Sequence, residues 1–161
     1  MDYLWSPWRY RYVSSEVGGQ ECLFCRISAE SKDRENYVLL RAEHNFVVLN
    51  RYPYTGGHLM IAPYTHVATL EGAAPETLAE MMSLGQRMET VLRHVYRPEG
   101  LNLGLNIGRS AGAGVAGHIH MHVLPRWSGD VNFMSTIAET RVIPEDLETT
   151  YEKLSAALRE Q

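Results

Sequence analysis

The sequence is poor in cysteine, carries little net charge and lacks long hydrophobic runs. Two of its 161 residues are cysteine, Cys22 and Cys25, which excludes the multiple disulfides of small secreted proteins. The net charge of -4 provides no broad basic surface, so we expect no nucleic-acid partner. No apolar stretch has the length of a signal peptide or a membrane span, and we therefore expect a cytoplasmic protein with no membrane partner.

The chain also lacks internal repeats and low-complexity segments, which predicts one domain over residues 1–161. A chain of this size buries about two thirds of its unfolded surface, enough for a substantial core. We divide it into an N-terminal extension (1–20), a core (21–142) and a C-terminal helix (143–161). The aromatic opening LWSPWRYRY has a composition typical of interfaces, and we expect it to pack against the domain or a second subunit.

Hydrophobic periodicity predicts an α+β fold, in which an antiparallel sheet carries a long central helix and a C-terminal helix. Short apolar runs bounded by proline and glycine predict strands, and apolar residues three or four apart predict helices. The predicted elements are a strand within 36–50, a strand within 56–64, a helix over 75–97 ended by Pro98, strands within 101–108 and 118–125, and a helix after Pro144.

Three histidines, His118, His120 and His122, occupy alternate positions in the predicted strand HIHMHVLP. Alternate side chains of a strand point to the same face, so the three imidazoles share one face and the intervening Ile119 and Met121 point to the core. Threonine or lysine would serve equally well as a merely solvent-facing residue. Imidazoles in a row are better suited to acid–base and nucleophilic chemistry at neutral pH, and phosphorus chemistry fits them.

A single metal ion held by all three histidines is excluded by distance. The first and third lie about 13 Å apart along a strand, whereas zinc–nitrogen bonds are about 2 Å long. One ion can bind two neighbours of the row but not three.

A glycine-rich stretch, NIGRSAGAGVAGH, precedes the histidines. Gly112, Gly114 and Gly117 match the G-x-G-x-x-G pattern of dinucleotide-binding folds, but that pattern requires a helix after the glycines, and a strand is predicted here. The loop can instead turn backbone N–H groups toward phosphate oxygens, with Ser110 and Asn106 donating from their side chains. A tight turn without a ligand is the alternative.

The segments HIHMHVLPR, NIG and LNRYPYTGGHLMIAP together resemble the histidine triad (HIT) superfamily of nucleotidyl hydrolases and transferases. LWSPWRYRYV and PRWSGDVNFM are most similar to its bacterial branch of diadenosine tetraphosphate phosphorylases. The resemblance implies a HIT-like fold, a homodimer and a small-molecule nucleotide as substrate.

The resemblance also assigns roles to individual residues. It implies that His120 attacks the α-phosphorus and carries the nucleotide covalently, and that His122 bonds the phosphate oxygens or the leaving group. Asn50 matches the ribose contact, His58 matches the histidine that closes the following turn, and Asn106 matches the polar residue beside the α-phosphate.

The chain departs from the family pattern in the loop before the triad. Common branches have Gln followed by Ser or Thr, whereas this chain has Gly114 and Val115, and its loop is one residue longer. We expect backbone N–H groups to replace the missing side-chain contacts to phosphate.

The C-x2-C pair of Cys22 and Cys25 indicates either a metal site or a redox pair. The resemblance favours metal, because relatives with this pair complete a tetrahedral site with a histidine after the IAP strand and with the first histidine of the triad. Those residues are His66 and His118 here, which predicts a closed structural zinc site.

Several functional alternatives remain open from the sequence. Either phosphate or water could accept the nucleotidyl group. A phosphoramidase-type purine nucleotide hydrolase, a nucleotide-binding sensor with incidental turnover and a zinc-dependent hydrolase are the other hypotheses.

Overall fold

A five-stranded antiparallel sheet is the frame of the computed structural model, which describes residues 21–130 and 144–160. The strands are β1 (Val38–Arg41), β2 (Asn45–Leu49), β3 (Leu59–Pro63), β4 (Gly100–Leu105) and β5 (Met121–Arg126). The helices are α1 (Leu23–Ala29), α2 (Asp33–Asn36), α3 (Pro75–Tyr96) and α4 (Leu147–Arg159), with a 3₁₀ turn at Arg109–Ala111. The spatial order β1-β2-β3-β5-β4 places β5 beside β3 in the sheet interior. The predicted α+β class, with its central and C-terminal helices, is confirmed.

The first apolar run, at 36–50, folds as a hairpin of β1 and β2 and not as the single strand that its pattern predicts. The polar turn after Arg41 interrupts the run, and Glu80 of α3 holds it. The Glu80 carboxylate accepts the backbone N–H groups of Glu43 (2.9 Å) and His44 (2.8 Å) and the side-chain amide of Asn45 (2.8 Å). Local periodicity carries no information about this contact, because Glu80 lies 35 to 37 residues further along the chain.

Strand β5 also begins later than predicted, at Met121 rather than His118. The backbone N–H of His118 bonds the carbonyl of Val115 (3.3 Å), and that of Ile119 bonds the carbonyl of Val67 (2.8 Å). These loop contacts replace ladder bonds to a neighbouring strand.

The long central helix has the ends that its sequence predicts, whereas the C-terminal helix begins at Leu147, later than the predicted 143–161. Helix α3 has Pro75 in its first turn and ends at Tyr96, and the next residue, Arg97, has a left-handed backbone (φ 47°) and precedes Pro98. Helix α4 begins after Asp146, whose side chain accepts the backbone N–H of Thr149 at 2.7 Å. Such a cap satisfies a helix donor that would otherwise lack a partner.

The sheet has a hydrophobic core on each face. The larger core lies between the sheet and helices α3 and α4, and it contains Val47, Leu49, Leu59, Ile61, Met81, Leu84, Met88, Val91, Leu92, Ile119, Met121, Val123, Leu154, Ala157 and Leu158. The smaller core lies under α1, and it contains Phe24, Ile27, Val38, Phe46, Val48, Met60 and Ala62.

No helix in the described ranges is both long and apolar enough to cross a membrane. The aromatic opening at residues 4–12, for which we predicted packing, lies outside the described residues, as does part of PRWSGDVNFM.

Candidate active site

The three histidines share the face of the sheet that carries the smaller core. The rings of His120 and His122 lie 4.9 Å apart, and those of His118 and His120 both contact Phe24, at 5.3 and 4.8 Å between centroids. Ile119 points into the larger core, as predicted. All three histidines are buried: His118 is 0% exposed, His120 3% and His122 9%. They are therefore not simply the solvent-facing polar residues of a half-buried strand.

Pairing across the sheet aligns the third histidine with the wall of a cavity. His122 on β5 is opposite Met60 on β3, which in turn is opposite Val48 on β2. On the other side His122 is opposite Gly104 of β4, whose missing side chain leaves the space beside the imidazole open.

The His120 ring is held in one tautomer by the backbone carbonyl of His118. Its Nδ1 lies 2.9 Å from the carbonyl oxygen of His118. A carbonyl only accepts, so Nδ1 carries the proton and Nε2 keeps a free lone pair. Burial lowers the pKa of His120, which keeps the ring neutral at physiological pH. A neutral imidazole with a free Nε2 is a nucleophile.

The His122 ring is oriented by a chain of hydrogen bonds that begins in the turn after β2. The backbone N–H of Tyr54 donates to Nδ1 of His58 (3.1 Å), so the proton of His58 lies on Nε2. That Nε2–H donates to Nδ1 of His122 at 2.9 Å. The remaining nitrogen of His122, Nε2, therefore carries its proton and is a donor. Burial, followed by the neighbouring His120, lowers the pKa of His122 to about 4.

His120 and His122 line a cavity of about 230 Å³ between α1, the turn after β2 and the glycine loop. The walls are Leu23, Phe24, Ile27, Asn36, Val48, Leu49, Asn50, Arg51, Tyr52, Tyr54, Met60, Gly112, Gly114, Val115, His120 and His122. The wall therefore combines apolar side chains with two imidazoles and glycine backbone. This combination suits a ligand with a flat apolar part and an anionic part.

The predicted nucleotide-binding residues divide into three groups. Asn50, Gly112 and Gly114 line the cavity. His58 is 1% exposed and lies behind His122. Asn106 and Ser110 are described by the structure but are not among the residues that line the cavity. Their predicted roles stay predictions.

Asn50 holds the shape of the turn that carries Tyr54. Its Oδ1 accepts the backbone N–H of Tyr52 at 2.9 Å, and its Nδ2 lies 3.3 Å from Nδ1 of His58. Asn50 thus stabilises both the turn and His58, which in turn orients His122.

The glycine loop contains a short turn of 3₁₀ helix that periodicity did not predict. Gly108 and Gly112 flank it with positive φ angles of 81° and 89°, a conformation that favours glycine. Strand β5, not a helix, follows the loop, in agreement with our exclusion of a dinucleotide-binding fold.

The four predicted metal ligands, Cys22, Cys25, His66 and His118, meet at the N-terminal end of α1. One ligand atom from each lies within 4.8 Å of all the others. Nδ1 of His118 is 3.4 Å from Sγ of Cys22 and 3.6 Å from Sγ of Cys25, and Nδ1 of His66 is 3.2 Å from Sγ of Cys25. Tetrahedral zinc with bonds of about 2.0–2.3 Å separates its ligands by about 3.3–3.8 Å. The donor set and its spacing fit zinc.

The tautomer of His118 also fits a metal. Its Nε2 lies 2.9 Å from the carbonyl oxygen of Pro63, so Nε2 carries the proton and Nδ1 is free to coordinate. Metal-bound histidines commonly donate their second nitrogen in this way. The cluster connects α1 to the segment that enters β5, two residues before His120.

Sequence reasoning missed the cavity residues contributed by α1 and α2. Phe24 and Ile27 form the apolar wall, and Asn36 is a polar residue of that wall, 5% exposed. Phe24 stands inside the C-x2-C motif, which was the available signal. Asn36 belongs to no motif that could have identified it.

Comparisons with known proteins match these features. The model of the HIT domain family matches residues 31–129. An AP-4-A phosphorylase of Mycobacterium tuberculosis is 39% identical over 91% of this chain and 79% of its own length. A zinc-bound histidine triad family protein of Mycobacterium smegmatis has a TM-score of 0.71 and 34% identity, over 87% of this chain and 94% of that one. A hypothetical histidine triad nucleotide-binding protein of Sulfolobus tokodaii has a TM-score of 0.69 and 29% identity, over 86% and 93%.

Proposed function

The chain belongs to the HIT, or histidine triad, family, and on that premise we propose that it is a nucleotidyl hydrolase or transferase acting on dinucleoside polyphosphates. The observation that carries the proposal is the tautomer of His120. Its Nδ1–H bonds the carbonyl of His118, which leaves Nε2 unprotonated on the wall of the cavity. The 39% identity to an AP-4-A phosphorylase supports the choice of substrate.

The first step of the proposed reaction is attack by Nε2 of His120 on the α-phosphorus. The new N–P bond forms as the bond from that phosphorus to the bridging oxygen of the polyphosphate breaks. The electron pair leaves on the bridging oxygen, and the Nε2–H of His122 stabilises its charge by donating a hydrogen bond. The product is a nucleotidyl group covalently bound to His120.

The second step removes the nucleotidyl group from His120 and restores the free imidazole. An oxygen of phosphate or water attacks the same phosphorus, and the N–P bond breaks with its electron pair returning to Nε2 of His120. When water is the acceptor, it releases one proton to solvent as the new P–O bond forms. With diadenosine tetraphosphate, phosphate as acceptor gives ADP and ATP, whereas water gives AMP and ATP. Gly112 and Gly114 on the cavity wall support phosphate-oxygen binding by backbone N–H groups in place of the Gln that the glycine loop lacks.

Zinc in this proposal is structural and takes part in neither step. Cys22, Cys25, His66 and His118 would hold it, and all four protein ligands together close a tetrahedral site. Bound there, zinc would cross-link α1 to the segment before His120. The residues that it fixes include Phe24, which packs on the ring of His120 at 4.8 Å between centroids.

We also propose a cytoplasmic homodimer whose residues 1–161 form one HIT domain. Strand β4 supports dimerisation, because among the described strands it pairs with β5 alone and is a sheet edge. Exposed Leu103 on this strand, Ile107 after it and Met82 on α3 provide apolar area nearby. An exposed strand edge with apolar neighbours is a surface for self-association.

A product assay on diadenosine tetraphosphate tests the proposed function. The native protein and His120→Ala are each incubated with and without inorganic phosphate. We expect ATP from the native protein, together with ADP if phosphate is the acceptor and AMP if water is, and no product from the variant. An equally active variant, or faster turnover of a nucleoside phosphoramidate than of the dinucleotide, would contradict the proposal.

A further inference from the structure

The cavity wall contains one buried amide among apolar side chains. The surrounding side chains are hydrocarbon or aromatic: Leu23, Phe24, Ile27, Val48, Leu49 and Met60. Asn36 lines the same space, and only 5% of the residue is exposed. A polar group in an apolar slot is costly unless it is bonded, so its partner determines what the slot prefers.

The orientation of the Asn36 amide is fixed by Glu30. Nδ2 of Asn36 donates to Oε2 of Glu30 at 2.7 Å, and the other oxygen of Glu30 lies 3.3 Å from the guanidinium of Arg26. A carboxylate only accepts, so the amide group facing Glu30 must be the nitrogen. The hydrogen bond from Asn36 lowers the pKa of the Glu30 carboxyl, which keeps it ionised at neutral pH.

This arrangement leaves the carbonyl oxygen of Asn36 as its free acceptor. Among the described residues no donor bonds Oδ1, although the side chain is nearly enclosed. Apolar side chains surround Asn36 on the cavity wall, and the imidazoles that would bind phosphate border the same cavity, where the ring of Phe24 lies 4.8 Å from that of His120. A nucleotide with its α-phosphorus at His120 would place its base in this slot.

We propose that Asn36 determines base specificity by accepting, at Oδ1, a hydrogen bond from the 6-amino group of adenine. The inference rests on the proposed function, because it puts the nucleotide in the cavity of His120. Glu30 acts as a positioning residue that holds the amide with its oxygen toward the base. Guanine and hypoxanthine present a carbonyl oxygen at position 6, which faces Oδ1 with like polarity.

Binding of three purine monophosphates to the native protein tests the proposal. Isothermal calorimetry compares AMP with IMP, in which oxygen replaces the amino group, and with purine riboside 5′-monophosphate, in which hydrogen replaces it. We expect AMP to bind about tenfold more tightly than IMP, with the purine riboside between them, as one neutral hydrogen bond allows. Equal affinity for AMP and IMP would overturn the base assignment and leave the proposed function standing. No binding by any of them would overturn both.

Two variants separate base recognition from a structural role. Asn36→Leu keeps the volume but removes the acceptor, and we expect the AMP:IMP affinity ratio to fall to about one. Glu30→Gln lets the amide turn over, because glutamine both donates and accepts, and we expect the ratio to fall about threefold. Glu30 is surface-accessible, so this variant keeps the test decisive if Asn36→Leu fails to fold.

Glu35→Gln is the matched control. Glu35 is an exposed carboxylate of α2 whose side chain lies 3.9 Å from Lys32. We expect this variant to keep the native AMP:IMP ratio. A loss of preference in the control equal to that in Glu30→Gln, or an unchanged ratio in Asn36→Leu, would overturn the proposal.

Discussion

The two faces of the sheet are built from the same strands but have different chemistry. Along β5, Met121 and Val123 enter the core under α3 and α4, where they are 2% and 0% exposed. His122, between them, is 9% exposed on the opposite face and borders a cavity. Alternation along one strand thus directs hydrocarbon to one side and imidazole to the other.

The difference between the faces shows how burial can serve two purposes. Under α3 and α4, burial removes apolar surface from water and stabilises the fold. On the cavity face, burial lowers the pKa of His120 and His122 and keeps both rings neutral. Charged imidazoles in that position would oppose folding, whereas neutral ones can attack phosphorus and donate to oxygen. Substitutions on the two faces should therefore have separable effects.

The largest expected effect is on the cavity face. His120→Ala removes the nucleophile, and we expect kcat on diadenosine tetraphosphate to fall at least about 10⁴-fold with no comparable loss of stability. Steady-state kinetics and urea unfolding measure the two quantities. His94→Ala, at an exposed position of α3, is the control and should stay within about twofold of the native kcat. A His120→Ala protein that is much less stable than the native protein but has native kcat under folding conditions would contradict this separation of the two faces.

The converse substitution lies on the helix-covered face. Met88 is 0% exposed in the larger core, so Met88→Ala should lower the free energy of unfolding by about 2–5 kcal/mol and leave kcat within a few-fold. Met82→Ala, on the same helix but 63% exposed, should change stability by less than about 0.5 kcal/mol. A large loss of kcat in a fully folded Met88→Ala protein would show that the two faces are not separable.

Removal of zinc should affect the cavity face indirectly, by loosening the elements that position His120. Chelation or Cys22→Ala frees α1 from the segment before His120, and we expect kcat/KM to fall about 10- to 100-fold, the effect of a small misplacement of a catalytic group. The melting temperature should fall in the same samples, because structural metal binding contributes to folding. Loss of activity at an unchanged melting temperature would instead support a catalytic zinc.

The smallest expected effect is the pH dependence of stability from His122. Its folded-state pKa of about 4 lies below the ordinary value near 6.5, so the unfolded chain binds more protons between those values. The free energy of unfolding should therefore decrease as pH falls, by roughly 2 kcal/mol from this residue at pH 5. His122→Asn should show a correspondingly shallower decrease between pH 7 and pH 5. An identical slope in both proteins would show that His122 is not held neutral by burial.

The sequence predicted those parts of the site that depend on local pattern. Alternation placed His118, His120 and His122 on one face, and resemblance to the family brought His66 to the two cysteines across 41 residues of chain. It could not predict which tautomer each ring adopts, because that depends on partners distant in sequence such as Pro63 and His58.

The parts that the sequence missed depend on tertiary contacts. The break between β1 and β2 is held by Glu80 of α3, and periodicity within 36–50 has no information about that carboxylate. The role of Asn36 in the cavity depends on Glu30 and on the placement of α1, which the metal cluster fixes.

Rapid quenching of the native protein during turnover of diadenosine tetraphosphate tests the central claim most directly. The quench is alkaline because the N–P bond is labile in acid, and mass spectrometry examines the tryptic peptide of residues 110–126, which contains the whole histidine row. We predict one adenylyl group on this peptide, localised by fragmentation to His120. Turnover without an adduct, or an adduct on His118 or His122, would contradict the assignment of the nucleophile.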